Sequence, residues 1–241
     1  MVQKQISIKR PFGARSEGFS LQNKIFLLFD KRRADFFCAT CYNSPNQNFL
    51  DGEKFLGKII LVTGGARSGK SSFAEKLALK IGKGRAAYIA TAQIFDKEMA
   101  NRVKVHKQRR GDEWTTFEAP FSAEDKILAA GKNFSAILFD CVTIYISNFI
   151  CAANLDDEQK NYDDLRILIQ KLIDSAKNSD STIIFVTNEV GSGIVPENKL
   201  SRRFRDLAGF ANQMLAENSD KVFLTVAGFA VDVKKFSERV S

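Results

Sequence analysis

Residues 64–72 read GGARSGKSS and follow directly after the apolar run Ile59–Thr63, and a helical pattern over Ser72–Ile81 comes next. The stretch matches G-x-x-x-x-G-K-[ST], which between a strand and a helix is typical of a phosphate-binding P-loop. Its glycines let successive backbone N–H groups point into one concavity, and the helix start adds a positive dipole end. The sequence therefore predicts a nucleoside triphosphate site, in which Lys70 reaches the β- and γ-phosphates and Ser71 binds Mg²⁺.

Strand-like apolar runs alternate with helical patterns through the rest of the chain. The predicted strands are Ile59–Thr63, Ala86–Ala90, Ala136–Phe139, Thr182–Thr187 and Val222–Val226. The predicted helices are Ser72–Ile81, Asp96–Arg110, Leu165–Ala176 and Leu200–Leu215. Such alternation predicts an α/β fold of the P-loop NTPase type (RecA-like), with a mostly parallel sheet flanked by helices on both faces. Ligands of such sheets bind at the carboxyl ends of the strands.

The first 57 residues differ from the rest in pattern. They show no sustained period of 2 or 3.6, although they hold eight of the 21 phenylalanines. The first 16 residues are basic without an acid, which weakly resembles a transit peptide. We favour an N-terminal extension over residues 1–57 that is poorly ordered or reflects a start site placed too far upstream, and a catalytic domain over residues 58–241.

Composition narrows the class of protein further. Hydrophobic residues make up 44% of the 241 residues, which is enough for a core, and no apolar run approaches the ~20 residues that cross a bilayer. We therefore expect a cytoplasmic protein without a membrane span. The net charge is +8, but no base-reading motif appears, so we expect no nucleic-acid partner.

The four cysteines do not predict a metal site or a disulfide framework. Cys38 and Cys41 form a lone C-x-x-C, whereas structural zinc needs a second pair of ligands. Cys141 follows a strand and Cys151 lies in an apolar segment, so both are expected to be core thiols.

A carboxylate follows the strand Ala136–Phe139. Four apolar residues before Asp140 form the Walker-B pattern, in which the acid helps to hold the Mg²⁺ of a nucleotide. The alternative is a helix N-cap or a surface carboxylate.

His106 is the only histidine of the chain. It falls on the same helical face as Met99 and Val103, and three of the next four residues are cationic. One interpretation is a partly buried core histidine. The other is a nucleophile, because a neutral imidazole can attack an activated phosphorus and neighbouring cations would stabilise the developing charge.

Several segments together resemble the bifunctional adenosylcobinamide kinase/adenosylcobinamide-phosphate guanylyltransferase family of cobalamin biosynthesis. The resemblance covers about three-quarters of the chain, in order. It is carried by VTGGARSGKS (Val62–Ser71), YIATAQ (Tyr88–Gln93), DKEMANRVKVHKQRR (Asp96–Arg110), EW and TTFEAP (Glu113–Pro120), and VTNEVGSGIVPENKLSRRFRDLAG (Val186–Gly209).

The resemblance implies two reactions and their site residues. Adenosylcobinamide would be phosphorylated by ATP or GTP, and GMP would then pass from GTP to the adenosylcobinamide phosphate through a guanylyl-histidine at His106. The P-loop and Walker-B patterns already predict Mg²⁺ held by Ser71 and Asp140, and the resemblance also implies a homo-oligomer, typically a trimer. Positions matching the family's guanine-nucleotide contacts are Gly64, Gly65, Ala66, Arg67, Ser68, Gly69, Lys70, Ser71, Ala90, Thr91, Ala92, Lys107, Gln108, Arg109, Arg110, Glu118 and Asp140.

Departures from the family pattern affect loop contacts more than chemistry. Val105 stands where the family often has a first histidine, Asp140 stands where it can have Glu, and a glycine near Arg109 is missing. Asn188 and Glu189 are expected at the same sheet edge, and a capping turn explains them without a catalytic role.

Two alternative functions stay open at this level. One is a plain small-molecule or nucleotide kinase, in which His106 is structural. The other is a GTP-dependent switch or an ATP-driven nucleic-acid motor. A switch normally carries N-K-x-D, but Leu200 and Ser201 follow Asn198-Lys199, so the acid is missing.

Overall fold

The computed structural model describes residues 57–93, 111–152 and 157–238. The predicted helix Asp96–Arg110 lies outside these ranges, as do residues 1–56 of the predicted extension. Both therefore stay predictions, and so does the domain boundary at residue 57.

The described residues form a seven-stranded sheet in the order β3-β2-β4-β5-β1-β6-β7. The strands are β1 (Ile59–Gly64), β2 (Ala86–Ala90), β3 (Trp114–Glu118), β4 (Ala136–Asp140), β5 (Thr182–Asn188), β6 (Lys221–Val226) and β7 (Phe229–Asp232). Every neighbouring pair is parallel except β6 and β7, which form an antiparallel hairpin. The mostly parallel α/β sheet expected from the sequence is confirmed.

Helices cover both faces of this sheet. They are α1 (Lys70–Ile81), α2 (Ala123–Gly131), α3 (Val142–Ala152), α4 (Glu158–Lys177), α5 (Lys199–Asn218) and α6 (Val233–Phe236). Successive side chains of a strand point to opposite faces. Ile59 and Leu61 of β1 join one core cluster with residues of α2 to α5, whereas Ile60 and Val62 are equally buried outside that cluster. Helix α1 packs on this second face, against β1, β4 and β5.

Capping side chains explain where the long helices begin. The Asp157 carboxylate accepts a hydrogen bond from the Lys160 N–H at 2.9 Å and so caps α4. The Asn198 side chain accepts from the Ser201 N–H at 3.1 Å and caps α5 in the same way. The Asn-Lys pair that only partly matches a guanine-reading motif is therefore a helix start.

The two described cysteines differ in environment. Cys141 is buried as expected, and burial followed by the charge of Asp140 raises the pKa of its thiol to about 12. The expectation for Cys151 is wrong, because this residue lies in the last turn of α3 and its side chain is exposed.

None of the helices in the described ranges combines the length and the apolar character that a membrane span requires.

Candidate nucleotide-binding site

The loop between β1 and α1 leaves backbone donors available at a helix start. Gly69 adopts a left-handed φ of 98° at the N-cap of α1, and no side chain caps the helix. The unpaired N–H groups of the first turn carry the positive end of the helix dipole. This geometry suits phosphate oxygens, as the sequence pattern predicts.

Hydrogen bonds to the β6–β7 hairpin hold the loop in place. The Ser68 hydroxyl lies 2.8 Å from the Thr225 hydroxyl, and the Gly228 N–H donates to the Ser68 carbonyl at 2.9 Å. Thr225 also donates to the Thr63 carbonyl at 3.1 Å. Ser68 is one of the residues predicted to contact nucleotide. It is buried, and its side chain anchors the loop instead of facing solvent.

The tip of the loop faces solvent. Gly65, Ala66 and Arg67 are exposed, and Arg67 has a positive φ of 57°. The Lys70 ammonium folds back to donate to the Gly65 carbonyl at 3.1 Å. That contact places the lysine charge beside the concavity where phosphates are expected.

Gly64 has no space for a side chain. A Cβ at this position would lie 2.7 Å from the Ser68 hydroxyl and 2.5 Å from the backbone carbonyl oxygen of Thr225. Gly64 is therefore required by the close approach of β6 and by the loop itself, before any ligand is considered.

Asp140 ends β4 on the face that α1 covers. Its Oδ2 accepts a hydrogen bond from the Tyr88 hydroxyl at 2.7 Å, and Oδ1 has no hydrogen-bond partner among the described residues. The carboxylate is half-buried. It is neither a helix N-cap nor a freely solvated surface acid.

The residues at this corner fit the demands of Mg²⁺. No group of three or more His, Cys, Asp or Glu side chains that could enclose a metal occurs among the described residues. Mg²⁺ is usually bound by one or two carboxylates together with water and substrate phosphates. Asp140 and the Ser71 hydroxyl at the start of α1 match that donor set, because α1 packs against β4.

The end of β2 is built into the protein interior. The Thr91 hydroxyl donates to the Cys141 carbonyl and accepts from the Cys141 N–H, each at 2.9 Å. The Asn148 amide donates to the Thr91 carbonyl at 2.8 Å. Thr91 thus connects the end of β2 to the end of β4. Ala92 is partly exposed, so it is more accessible to a nucleotide than Thr91 is. Ala90, the last residue of β2, is itself buried.

Glu118 lies at the carboxyl ends of the strands, as the loop does, but far from the loop. It ends the exposed edge strand β3, and three strands separate β3 from β1. Four strand spacings correspond to about 19 Å. Glu118 can therefore face only the base or ribose end of a nucleotide whose phosphates occupy the loop.

The remaining predicted site residues lie outside the described residues. These are the nucleophile His106 and the neighbours Lys107, Gln108, Arg109 and Arg110. Their roles stay predictions.

A hydroxyl and amide network at the end of β5 was not predicted from the sequence. Thr187 donates to the Asn212 side-chain oxygen at 2.7 Å, and its hydroxyl lies 3.2 Å from that of Thr143. Thr143 accepts from the Asn188 N–H at 2.7 Å, and Asn212 donates to the Asn188 carbonyl at 3.3 Å. The only indication of this network in the sequence was the polar pair Asn188-Glu189 directly after the apolar strand.

Glu189 uses its carboxylate to fix the following loop. It accepts hydrogen bonds from the Gly191 N–H at 2.8 Å and the Ser192 N–H at 3.0 Å. A hydrogen bond from the Ser192 side chain, with these backbone bonds, lowers the pKa of Glu189. The Glu189 N–H donates to the Gly64 carbonyl at 3.1 Å. The residue caps a turn, as expected, although that turn does not begin a helix.

A glycine loop between a parallel strand and a helix, with an acid two strands away on the same face, defines a P-loop nucleotide-binding α/β protein. Similarity is specific enough to name the family. The family model for cobinamide kinase/cobinamide phosphate guanyltransferase matches residues 60–233. The chain belongs to this family.

The similarity to individual relatives covers nearly the whole length of those relatives. The bifunctional adenosylcobalamin biosynthesis protein CobU of Salmonella typhimurium is 43% identical over 183 residues, covering 73% of this chain and 99% of the relative. The protein CobP of Pseudomonas aeruginosa, with the same description, is 38% identical over 174 residues, covering 72% and 96%. Among solved structures, the RadB recombinase is similar with a TM-score of 0.41 at 18% identity, covering 73% of this chain and 78% of that one.

Proposed function

We propose that this chain phosphorylates adenosylcobinamide and then transfers GMP from GTP to the product, giving adenosylcobinamide-GDP and pyrophosphate. The observation that carries the proposal is the 43% identity to a bifunctional relative across 99% of that relative. A plain kinase or a GTP switch is not favoured, because the match is to a family that carries both activities.

In the first reaction the loop holds the triphosphate of ATP or GTP. The N–H groups at the start of α1 and the Lys70 ammonium stabilise charge on the phosphates. The hydroxyl of the aminopropanol arm attacks the γ-phosphorus, the bond to the bridging oxygen breaks, and a nucleoside diphosphate leaves. The hydroxyl proton is released as the phosphate ester forms.

Mg²⁺ belongs to this proposal because, when bound, it would neutralise negative charge on the phosphate oxygens. Ser71 and Asp140 would hold it, and the hydrogen bond from Tyr88 fixes the orientation of the Asp140 carboxylate. Orientation of a ligand by such a bond is common at metal sites.

In the second reaction His106 is the nucleophile. A neutral imidazole nitrogen attacks the α-phosphorus of GTP, and pyrophosphate leaves as the P–N bond forms. The phosphate of the corrinoid then attacks the same phosphorus, breaks the P–N bond and frees the imidazole. The cations Lys107, Arg109 and Arg110, with Gln108, are proposed to lie against the nucleotide during this exchange.

The oligomeric state is the finer part of the proposal. We propose a homo-oligomer, with three copies as the family resemblance implies. Light scattering coupled to size-exclusion chromatography measures the mass directly, and a monomer under assay conditions would refute this part.

Labelling with α-³²P-GTP tests the guanylyltransferase step. The protein is incubated with labelled GTP and Mg²⁺, denatured, and treated with acid or base. A phosphoramidate at histidine predicts a label that acid removes and base preserves. The His106→Ala variant should carry none.

The control is Asn133→Ala, an exposed position in the turn before β4. This variant should label like the unchanged protein. Label that persists in His106→Ala would remove the nucleophile assignment, and an unlabelled parent protein would leave only the kinase.

A further inference from the structure

A cavity lies on the face of the sheet that α4 and α5 cover. It has a volume of about 540 Å³ and is enclosed by α4, α5 and the loop that follows β5. Cavities of roughly 300–1,000 Å³ are typical sites for small molecules and cofactors. None of its described lining residues belongs to the predicted nucleotide contacts. The cavity is therefore available for a ligand other than the nucleotide in the phosphate loop.

A short, fixed segment joins this cavity to the phosphate loop. The Glu189 N–H donates to the Gly64 carbonyl at 3.1 Å, and the Glu189 carboxylate accepts from the Gly191 N–H at 2.8 Å. Gly191 is one of the residues that line the cavity. Two residues of chain span at most about 7 Å, so one wall of the cavity lies close to the place where the triphosphate is expected.

Gly209 lines the cavity from the interior of α5. A glycine inside a helix is less stable than alanine, so such a position normally has a packing reason. Apart from its own helix backbone and chain neighbours, no described atom lies within 4 Å of the Cβ that alanine would add to Gly209. Gly193, on the loop that follows β5, has the same free space. Packing within the described residues requires neither glycine, whereas a ligand in the cavity would use the space that both leave.

The cavity walls combine apolar surface with a balanced pair of charges. The rings of Tyr162 and Phe210 meet edge to face with centroids 5.5 Å apart, and Val195 on the loop is 59% exposed. Arg205 and Asp206 contribute one positive and one negative charge, with Nε and Oδ1 3.5 Å apart. Phosphate groups are usually bound by an excess of cations, which these walls do not supply. The walls instead suit a ligand surface that is apolar and carries uncharged hydrogen-bonding groups.

We propose that this cavity holds one edge of the corrinoid acceptor, with apolar parts of the macrocycle against Phe210 and Val195. Its peripheral carboxamide groups would accept hydrogen bonds from Arg205 and donate them to Asp206. The inference rests on the proposed function and adds the place where the acceptor binds. The hydroxyl-bearing arm of the acceptor then extends past the end of β5 towards the triphosphate in the loop.

Filling the cavity from Gly209 tests this location. Calorimetric titration with adenosylcobinamide, in the presence of Mg²⁺ and the non-hydrolysable analogue adenylyl imidodiphosphate, gives the Kd of the acceptor. Gly209→Leu should raise this Kd at least about tenfold, because the leucine side chain occupies volume that the acceptor needs. The Kd of the nucleotide analogue should change by less than about twofold.

A second variant separates acceptor binding from folding. Alanine is the better helix former, so Gly209→Ala should raise Tm by roughly 1–4 °C. The same variant should weaken acceptor binding, by less than leucine does. A glycine that serves only the fold would show the opposite result, a lower Tm with an unchanged Kd.

Lys171→Leu is the matched control, because it places a leucine at an exposed position of α4 about 14 Å along the helix from Tyr162. It should bind the acceptor as the parent protein does. Equal Kd values for Gly209→Leu and Lys171→Leu would overturn the location and leave the proposed function intact. Two nucleotides bound per chain, falling to one in Gly209→Leu, would assign the cavity to a nucleotide instead. A parent protein that binds the analogue but no adenosylcobinamide would overturn the proposed function itself.

Discussion

Replacing Gly64 with alanine tests whether β6 itself demands a glycine at the start of the loop. The added Cβ would lie 2.5 Å from the Thr225 carbonyl oxygen, and real Cβ contacts essentially never fall below 3.0 Å. The two strands must therefore separate by at least about 0.5 Å at a point where both are backbone-paired. Overpacking of this kind costs about 1–3 kcal/mol.

Thermal unfolding measures this cost. For a domain of this size, Tm falls by roughly 2–4 °C per kcal/mol, so Gly64→Ala should lower Tm by roughly 2–12 °C. Gly65→Ala is the matched control, because no atom lies within 4 Å of the Cβ it would add. Its Tm should stay close to that of the parent. Equal Tm values for the two variants would refute the argument from strand proximity.

Two further predictions concern the strands beside the loop. Tyr88→Phe removes the hydrogen bond to Asp140, so the Mg²⁺ concentration for half-maximal kinase activity should rise about tenfold, and an unchanged requirement would contradict that support role. Burial raises the pKa of Cys141 from 9.0 to about 12, so the unfolded chain releases this proton first. The free energy of unfolding should therefore fall as pH rises from 9 towards 12, more steeply than in Cys141→Ala; parallel pH profiles in urea titrations would argue against it.

Buried strands were predictable because burial on both faces produces continuous apolar runs. The run Ala86–Ala90 matches β2 at both ends, and β4 and β5 extend the predicted ranges by one polar residue each, Asp140 and Asn188. Of these two, Asp140 belongs to the predicted site. Apolar patterning therefore locates a buried strand well but misses the polar residue at its carboxyl end.

Strands and helices without such patterns were missed or predicted only in part. The edge strand β3 reads WTTFE and is largely exposed, so it has no apolar run. Helix α3 is buried around most of its circumference, which removes the 3.6-residue period. Helix α4 begins seven residues before its predicted start at Leu165, since its first turns are polar and are defined by the Asp157 cap.

The candidate site also contains residues that local sequence patterns predict and residues that they do not. The loop and Asp140 were predictable, because each is part of a motif of consecutive residues. The network of Thr143, Thr187 and Asn212 was not, because its members come from α3, β5 and α5 and meet only in the folded chain. Local patterns contain no information on which distant hydroxyl faces which amide.

The bond between Ser68 and Thr225 joins residues 157 positions apart in the chain. Contacts of such long sequence separation form late, because a large loop must close before they stabilise anything. During synthesis the phosphate loop therefore lacks its anchor until β6 has been added. A nascent chain that already contains the whole GGARSGKSS stretch should not yet hold nucleotide, so its ligand can stabilise only the finished protein and cannot guide the order in which the sheet assembles.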